Sequence, residues 1–185
     1  MAQTYEEMDA IAMLKADHRK VEEIFEQFEK ATSKAKKQQL AEQACLELKV
    51  HTAIEEEIFY PACRGKIEED LLNEAYVEHD GAKQLINEIE AGGPEEDFYD
   101  AKVKVLSEMI EHHVKEEEMR SEGMFSQARD AGLDMDLLAD QMRARKATAM
   151  EEFQAGKPAE TRTMEGDDVA SALTDEPFGD GAAIR

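Results

Sequence analysis

The chain has 185 residues and a formal net charge of −22, because 44 Asp and Glu residues outnumber 22 Lys and Arg residues. This length allows one domain, or one domain with a tail, and argues against a second enzyme-sized domain. The negative charge argues against nucleic acid or an anionic membrane as a partner, since proteins bind both mainly through Lys and Arg. No apolar run approaches the roughly 20 residues that span a bilayer, and the N-terminus does not resemble a signal peptide, so we expect a cytoplasmic protein.

Four amphipathic helices are predicted from apolar residues that recur at helical spacing. They cover about residues 8–31, 35–63, 68–91 and 96–121, with short polar or glycine-rich breaks between them. Short connections favour antiparallel packing of consecutive helices. The pattern therefore predicts an all-α fold, an antiparallel up-down four-helix bundle over residues 1–130.

Two further segments follow the predicted bundle. Apolar periodicity after Gly132 predicts an additional C-terminal helix within residues 131–155, with Asp134 as its N-cap. Residues 156–185 are acidic, contain Gly and Pro, and have few large apolar side chains. Such a composition does not offset the entropy cost of ordering the chain, so we predict a flexible acidic tail there.

The chain has five histidines, and four of them lie on the apolar faces of different predicted helices. These four are His18, His51, His79 and His113. A glutamate follows the second and the fourth of them by four residues, at Glu55 and Glu117. Residues i and i+4 of a helix face the same direction, so each pair presents an imidazole and a carboxylate to the bundle interior.

The spacing of these six residues divides the chain into two similar halves. His18 and His79 are 61 residues apart, whereas His51 and His113, like the two glutamates, are 62 apart. An up-down path then puts all six side chains at one depth of the bundle. Burying them costs several kcal/mol unless a metal or dense hydrogen bonding compensates. The pattern therefore favours a pair of metal ions, and its nitrogen and oxygen donors suit Fe, Mn, Zn or Co.

With the flanking runs ADHRKVEEIF and HTAIEEEIFYP, these residues resemble the hemerythrin-like (HHE cation-binding) family over about residues 8–125. The resemblance implies a four-helix bundle that binds two Fe ions joined by an oxo or hydroxo bridge, with Mn or Zn as alternatives. It implies histidine ligands at His18, His51, His79 and His113, and bridging carboxylates at Glu55 and Glu117.

The chain resembles the oxygen-carrying hemerythrins less closely. Those proteins place an HxxxH pair on the third helix and an HxxxxD pair on the fourth. Here Ala75 and Lys83 stand four residues before and after His79. One histidine ligand is thus missing, and more exchangeable positions at the metals favour peroxide or other chemistry over reversible oxygen storage.

Two other residues are candidates for the same site. Tyr76 lies three residues before His79 on one helical face, so its phenol is an additional ligand, an orienting group behind the ligands, or a core aromatic. His112 precedes His113 and is either a further ligand or a surface imidazole beside Glu116. Four neighbouring glutamates are expected to face water: Glu56, Glu57, Glu116 and Glu118.

Two functions fit the predicted centre. The first is a di-iron protein that reacts with or senses oxygen, peroxide or nitric oxide in a stress response. Such a protein requires a reductant. It would be an enzyme if it consumed peroxide or acted like an oxidase. The second is a non-enzymatic iron-sensing, oxygen-sensing or storage module whose folding depends on metal. The alternative to both is an acidic structural bundle whose histidines bond to buried carboxylates.

Overall fold

The computed structural model describes residues 4–163, and these residues form helices without any strand. The α-helices are, in chain order, α1 (Ala10–Lys30), α2 (Lys34–Ile54), α3 (Tyr60–Cys63), α4 (Glu69–Ala91), α5 (Tyr99–Glu118), α6 (Met124–Asp130) and α7 (Met135–Gln154). A 3-10 turn at Tyr5–Glu7 precedes them, and a π-helical turn at Glu55–Phe59 joins α2 to α3. The predicted all-α class is confirmed.

Polar side chains cap the N-termini of three of these helices. Asp9 begins α1 by accepting a hydrogen bond of 2.8 Å from an amide of the first turn, and Ser33 begins α2 in the same way. Asp134, the predicted N-cap of the C-terminal helix, accepts a 3.0 Å hydrogen bond from the amide of Leu137 in α7. Such bonds satisfy amides that have no partner within the helix, so they determine where each helix begins.

The four long helices α1, α2, α4 and α5 form the bundle. α1 packs against α2 and α5, and α4 packs against the same two helices, so the four enclose one interior. Short connections reverse the chain between them. The turn after α4 uses Gly93, whose φ of 139° is rarely adopted by residues with side chains. The predicted four-helix bundle is confirmed.

The bundle interior consists of two apolar layers with a polar level between them. Along α1, Leu14 belongs to one apolar layer and Val21 to the other, and His18 lies between them. Along α2 the order is reversed, with Leu48 in the second layer, then His51, then Ile54 in the first. Both layers keep water away from the polar side chains of this level.

Two helices lie outside the four-helix bundle. α7, the additional helix predicted from the sequence, packs against α1 and α2 and buries Met142 and Ala149. α6, which periodicity did not predict, packs against α5 and buries Met124 and Phe125. In the described part of the chain, no helix is long and apolar enough to cross a membrane.

The π-helical turn Glu55–Phe59 changes which residues face the interior. Periodicity predicts one continuous helix to residue 63 with Ile58 and Ala62 on its apolar stripe, but both are only half-buried. The wider turn shifts the register of every following residue. The side chains that become buried instead are those of Phe59, Tyr60 and Cys63. The predicted stripe is therefore wrong beyond Glu55.

Residues 156–163 pack against α4, whereas composition predicts a flexible tail from residue 156. Asn87 donates a hydrogen bond of 2.9 Å to the carbonyl of Ala159 and accepts one of 3.2 Å from its amide. Asp80 accepts a further one of 2.8 Å from the amide of Arg162. These hydrogen bonds offset the entropy cost of ordering residues 156–163, a cost that composition alone predicts to exceed the stabilisation. The rest of the predicted tail, residues 164–185, lies outside the described residues.

Candidate metal centre

The structure brings the six predicted ligands together at the polar level of the bundle. The Nε2 atoms of His18 and His51 lie 3.1 Å apart, and those of His79 and His113 also lie 3.1 Å apart. The four imidazoles, at most 5% exposed, come from four different helices. Each pair therefore points two nitrogen donors at one common point.

Two carboxylates connect the histidine pairs. Oε2 of Glu55 lies 3.1 Å from Nε2 of His51 and 3.3 Å from Nε2 of His79. Glu117 places its Oε2 atom 3.4 Å from Nε2 of His18 and its Oε1 atom 3.6 Å from Nε2 of His113. Each glutamate thus reaches one histidine of each pair, as a carboxylate shared by two metals would.

The donor atoms divide into two adjacent groups with one shared member. In each group the ligand atoms all lie within 4.8 Å of one another. The first group contains His18, His51, Glu55 and Glu117, and the second contains Glu55, His79 and His113. Imidazole nitrogens and carboxylate oxygens without thiolate suit Fe, Mn or Zn.

Each of the two carboxylates has one buried oxygen that is available to a bound cation. Oε1 of Glu55 and Oε2 of Glu117 are buried and have no hydrogen-bond partner among the described residues. Leaving a buried charged oxygen without a partner costs several kcal/mol, a penalty that a cation at this position removes. The residues present therefore fit a metal pair.

A phenol that the sequence analysis missed lies in the middle of this cluster. The hydroxyl group of Tyr60 is 3.0 Å from Oε1 of Glu117, 3.2 Å from Nε2 of His79 and 3.3 Å from Oε2 of Glu55. Burial and the two carboxylates raise the pKa of Tyr60 well above its ordinary value. An ideal α-helix turns this residue away from the stripe, so only the π-helical turn places it inside.

Replacing Tyr60 with Phe should lower the free energy of unfolding of the metal-free protein by about 1–3 kcal/mol, because the buried carboxylates lose a hydrogen-bond donor. The aromatic packing against Phe59 and Tyr76 would remain. Urea denaturation of protein stripped with a chelator measures the change. Tyr76→Phe is the matched control, and an equal loss in both variants would contradict the central position of the Tyr60 hydroxyl.

Tyr76 and His112, the two further candidates, lie next to the six predicted ligands. The ring of Tyr76 packs edge to face on Tyr60 at 5.3 Å, and the hydroxyl within the cluster belongs to Tyr60. The side chain of His112 is 64% exposed and pairs with Glu78 at 3.5 Å and Glu116 at 3.3 Å. His112, Glu78 and Glu116 form a third group of possible metal ligands, and this group lies at the protein surface.

Carboxylates also stand behind the four imidazoles, at their Nδ1 atoms. Four distances to the nearest carboxylate oxygen describe this outer ring: 2.8 Å for His18 and Glu118, 3.6 Å for His51 and Asp17, 3.0 Å for His79 and Glu56, and 2.7 Å for His113 and Glu78. Hydrogen-bonded carboxylates fix the orientation of a metal-binding imidazole and raise its basicity, and three of the four lie at hydrogen-bond distance; Asp17 is too far from His51 for a hydrogen bond. The predicted solvent exposure is wrong for Glu56, which is 2% exposed, and for Glu118, which bonds His18.

The carboxylates change the proton affinity of the histidines. Burial opposes a charge on His51, but Glu55 and Asp17 outweigh it and raise the pKa of that imidazole to about 10. Burial is likewise outweighed at His113, where Glu117 and Glu78 raise the pKa to about 9. A metal that binds these imidazoles must first displace their protons.

The fold and site define a helical metal-binding protein, and comparison with known proteins supplies its family. Residues 9–125 match the Hemerythrin HHE cation binding domain family, which confirms the resemblance inferred from the histidine and glutamate pattern. The chain belongs to this family.

One solved structure has a fold similar to that of the chain, and one curated protein is similar to it in sequence. A Hemerythrin HHE cation binding domain-containing protein from Mycobacterium kansasii has a similar fold, with a TM-score of 0.66 and 21% identity; the match covers 80% of this chain and 91% of that one. A DNA nickase from Nostoc is 28% identical over 113 residues, which are 61% of this chain. The chain matches only 32% of the length of that relative.

Proposed function

We propose that the chain binds two iron ions and uses them to react with, or to sense, small oxidants such as oxygen, peroxide or nitric oxide. The observation that carries this proposal is the convergence of four imidazoles and two carboxylates at one buried level. Iron, when bound there, supplies electron transfer to or from such a molecule.

Each side chain of the cluster has a separate task in this proposal. His18 and His51 would hold one ion and His79 and His113 the other, while Glu55 and Glu117 each reach one histidine of both pairs. The Tyr60 hydroxyl is within reach of the second pair, where it donates a hydrogen bond or a proton to an oxygen atom at the centre.

The space beside the histidines supports a ligand of only a few atoms. A cavity of about 10 Å³ borders all four imidazoles, with apolar walls that include Val21, Leu48 and Ile110. A cavity of this size holds roughly one water molecule. Diatomic gases and peroxide are therefore the proposed ligands, and a separate reductant would return the electrons.

We do not extend the activity named for the Nostoc DNA nickase to this chain. The matched 113 residues are a minor part of that relative. A net charge of −22 disfavours binding to a phosphate backbone, which proteins neutralise with Lys and Arg. We propose that the shared part is the metal-binding bundle, without nucleic acid or membrane as a partner.

A metal-dependent sensing or storage module is the second candidate function. The unpartnered oxygens of Glu55 and Glu117 favour it, because a fold that buries such charges gains stability when metal binds. Fast reaction of the reduced protein with peroxide supports the first function. Slow chemistry with a large change in stability on metal binding supports the second.

Metal analysis of anaerobically purified protein, followed by absorption spectra, tests the proposal. We expect about two iron ions per chain and new absorption bands on addition of oxygen, peroxide or azide, because a metal pair with open positions binds such ligands. A protein that retains only zinc, or iron that gives no spectral response to any of the three, would contradict it.

A further inference from the structure

Two cations from the C-terminal part of the chain bind carboxylates that stand behind the histidines. One is Lys146 of α7, and the other is Arg162 of the segment after α7, for which we use the term C-terminal strap (residues 156–163). Neither residue belongs to the four-helix bundle. Both reach the outer ring of carboxylates from outside the bundle.

Lys146 acts on the carboxylate behind His51. Its ammonium group donates hydrogen bonds to Oδ1 of Asp17 and, at 2.7 Å, to the hydroxyl of Tyr5. The other oxygen of Asp17 faces Nδ1 of His51 at 3.6 Å. Asp17 is 5% exposed, so water screens this charge pair very little.

Arg162 acts on the carboxylate behind His79. Its Nε atom lies 2.9 Å from Oε2 of Glu56, whereas Oε1 of Glu56 accepts hydrogen bonds from Nδ1 of His79 at 3.0 Å and from Lys83 at 2.6 Å. The strap holds the arginine in place through its bonds to α4 at Asp80 and Asn87. The carboxylate of Glu56 thus contacts one imidazole and two cations.

In the described part of the chain, no cation of α7 or of the strap pairs with the other two outer carboxylates. Glu118 pairs with Arg19 and Lys15 of α1, and Glu78 pairs with His112 of α5. Their side chains are 21% and 22% exposed, so water already screens them in part. The C-terminal cations therefore act on the two most buried carboxylates, one behind each histidine pair.

We propose that Lys146 and Arg162 are positioning residues that raise the reduction potential of the iron pair by drawing negative charge away from His51 and His79. A carboxylate paired with a cation attracts the imidazole proton less, so the imidazole donates less electron density to its metal. Weaker donation favours the reduced ion over the oxidised one. This inference rests on the proposed di-iron function.

Neutral variants of the two cations test the inference. Lys146→Met and Arg162→Met should each lower the reduction potential of the iron-loaded full chain, measured by spectroelectrochemical titration. Each shift is measured against the wild type, since Glu56 keeps Lys83 as a second cation and Asp17 lies beyond hydrogen-bond distance of His51. Lys157→Met removes the same charge from the strap at a residue paired with Glu152, so it controls for net charge and should leave the potential unchanged.

Conservative variants separate charge from structure. Lys146→Arg and Arg162→Lys keep the positive charge, so both variants should retain the wild-type reduction potential even if the packing changes. Arg162 is 47% exposed, which keeps its Met variant informative if Lys146→Met fails to fold. A wild-type chain without iron would overturn the proposed function and the inference with it. Two bound irons with unchanged potentials in both Met variants would overturn this inference alone.

Discussion

Replacing Glu55 with Gln should reduce the iron content from about two ions per chain to one or fewer, because this residue is shared by both donor groups. Gln keeps the volume of Glu but offers one neutral oxygen instead of a charged pair. Loss of an outer partner of a ligand already costs about 10–100-fold in metal affinity, so loss of a direct carboxylate should exceed about 100-fold. Metal analysis after dialysis against a weak chelator measures the iron content that each variant retains.

Glu117→Gln should have the same consequence, since Glu117 also reaches one histidine of each pair. Glu57→Gln is the matched control: Glu57 lies two residues from Glu55, faces solvent and pairs with Arg145. It should keep a wild-type iron content and spectrum. Full iron occupancy in both Glu55→Gln and Glu117→Gln would contradict the shared-carboxylate arrangement.

The inner cluster could be predicted because it obeys two simple regularities. Helical spacing puts His51 with Glu55, and His113 with Glu117, on the same faces, and the nearly equal intervals between the halves put them at one depth. Both regularities survive in the structure, where the donor atoms of all six predicted residues meet. The family match over residues 9–125 supports the same pattern.

The outer ring of carboxylates could not be predicted from the sequence. With 44 acidic residues in the chain, a glutamate near a histidine is common, and nothing in the sequence separates Glu56 from its exposed neighbour Glu57. The position of Tyr60 required a π-helical turn that periodicity does not reveal. The order in the strap depends on side-chain bonds from Asn87 and Asp80, which composition cannot show.

The two histidine pairs have unequal surroundings in the structure, although the sequence pattern that places them is duplicated. The hydroxyl of Tyr60 approaches His79 and His113, at 3.2 and 3.5 Å, and belongs to the half that has one donor group fewer. The π-helical turn after Glu55 thus places a hydroxyl donor beside the second histidine pair, where Glu55 and Glu117 both accept a hydrogen bond from it. If two ions bind as proposed, the Tyr60 hydroxyl would lie beside the one that His79 and His113 hold.

Metal loading should release on the order of two protons per chain at pH 7, because His51 and His113, with pKa values of about 10 and 9, carry protons that the metal displaces. The apparent metal affinity should accordingly fall as the pH falls, by up to about tenfold per pH unit for each proton released. Titration of the metal-free protein with Fe(II) in a weakly buffered, oxygen-free solution with a pH indicator counts the protons. An affinity that does not change between pH 6 and pH 8 would contradict the histidine assignment.

The stability of the metal-free protein should have the opposite pH dependence. A histidine whose pKa rises on folding stabilises the folded state below its unfolded pKa of about 6.5, and this contribution disappears as the pH rises through the folded value. For His51 and His113 that loss extends from about pH 6.5 to about pH 9–10. The melting temperature of chelator-treated protein should fall over this range, whereas metal binding strengthens as the imidazoles lose their protons. The gap in melting temperature between loaded and stripped protein should therefore widen with pH, and calorimetry of both forms at pH 6.5 and pH 8.5 measures it directly.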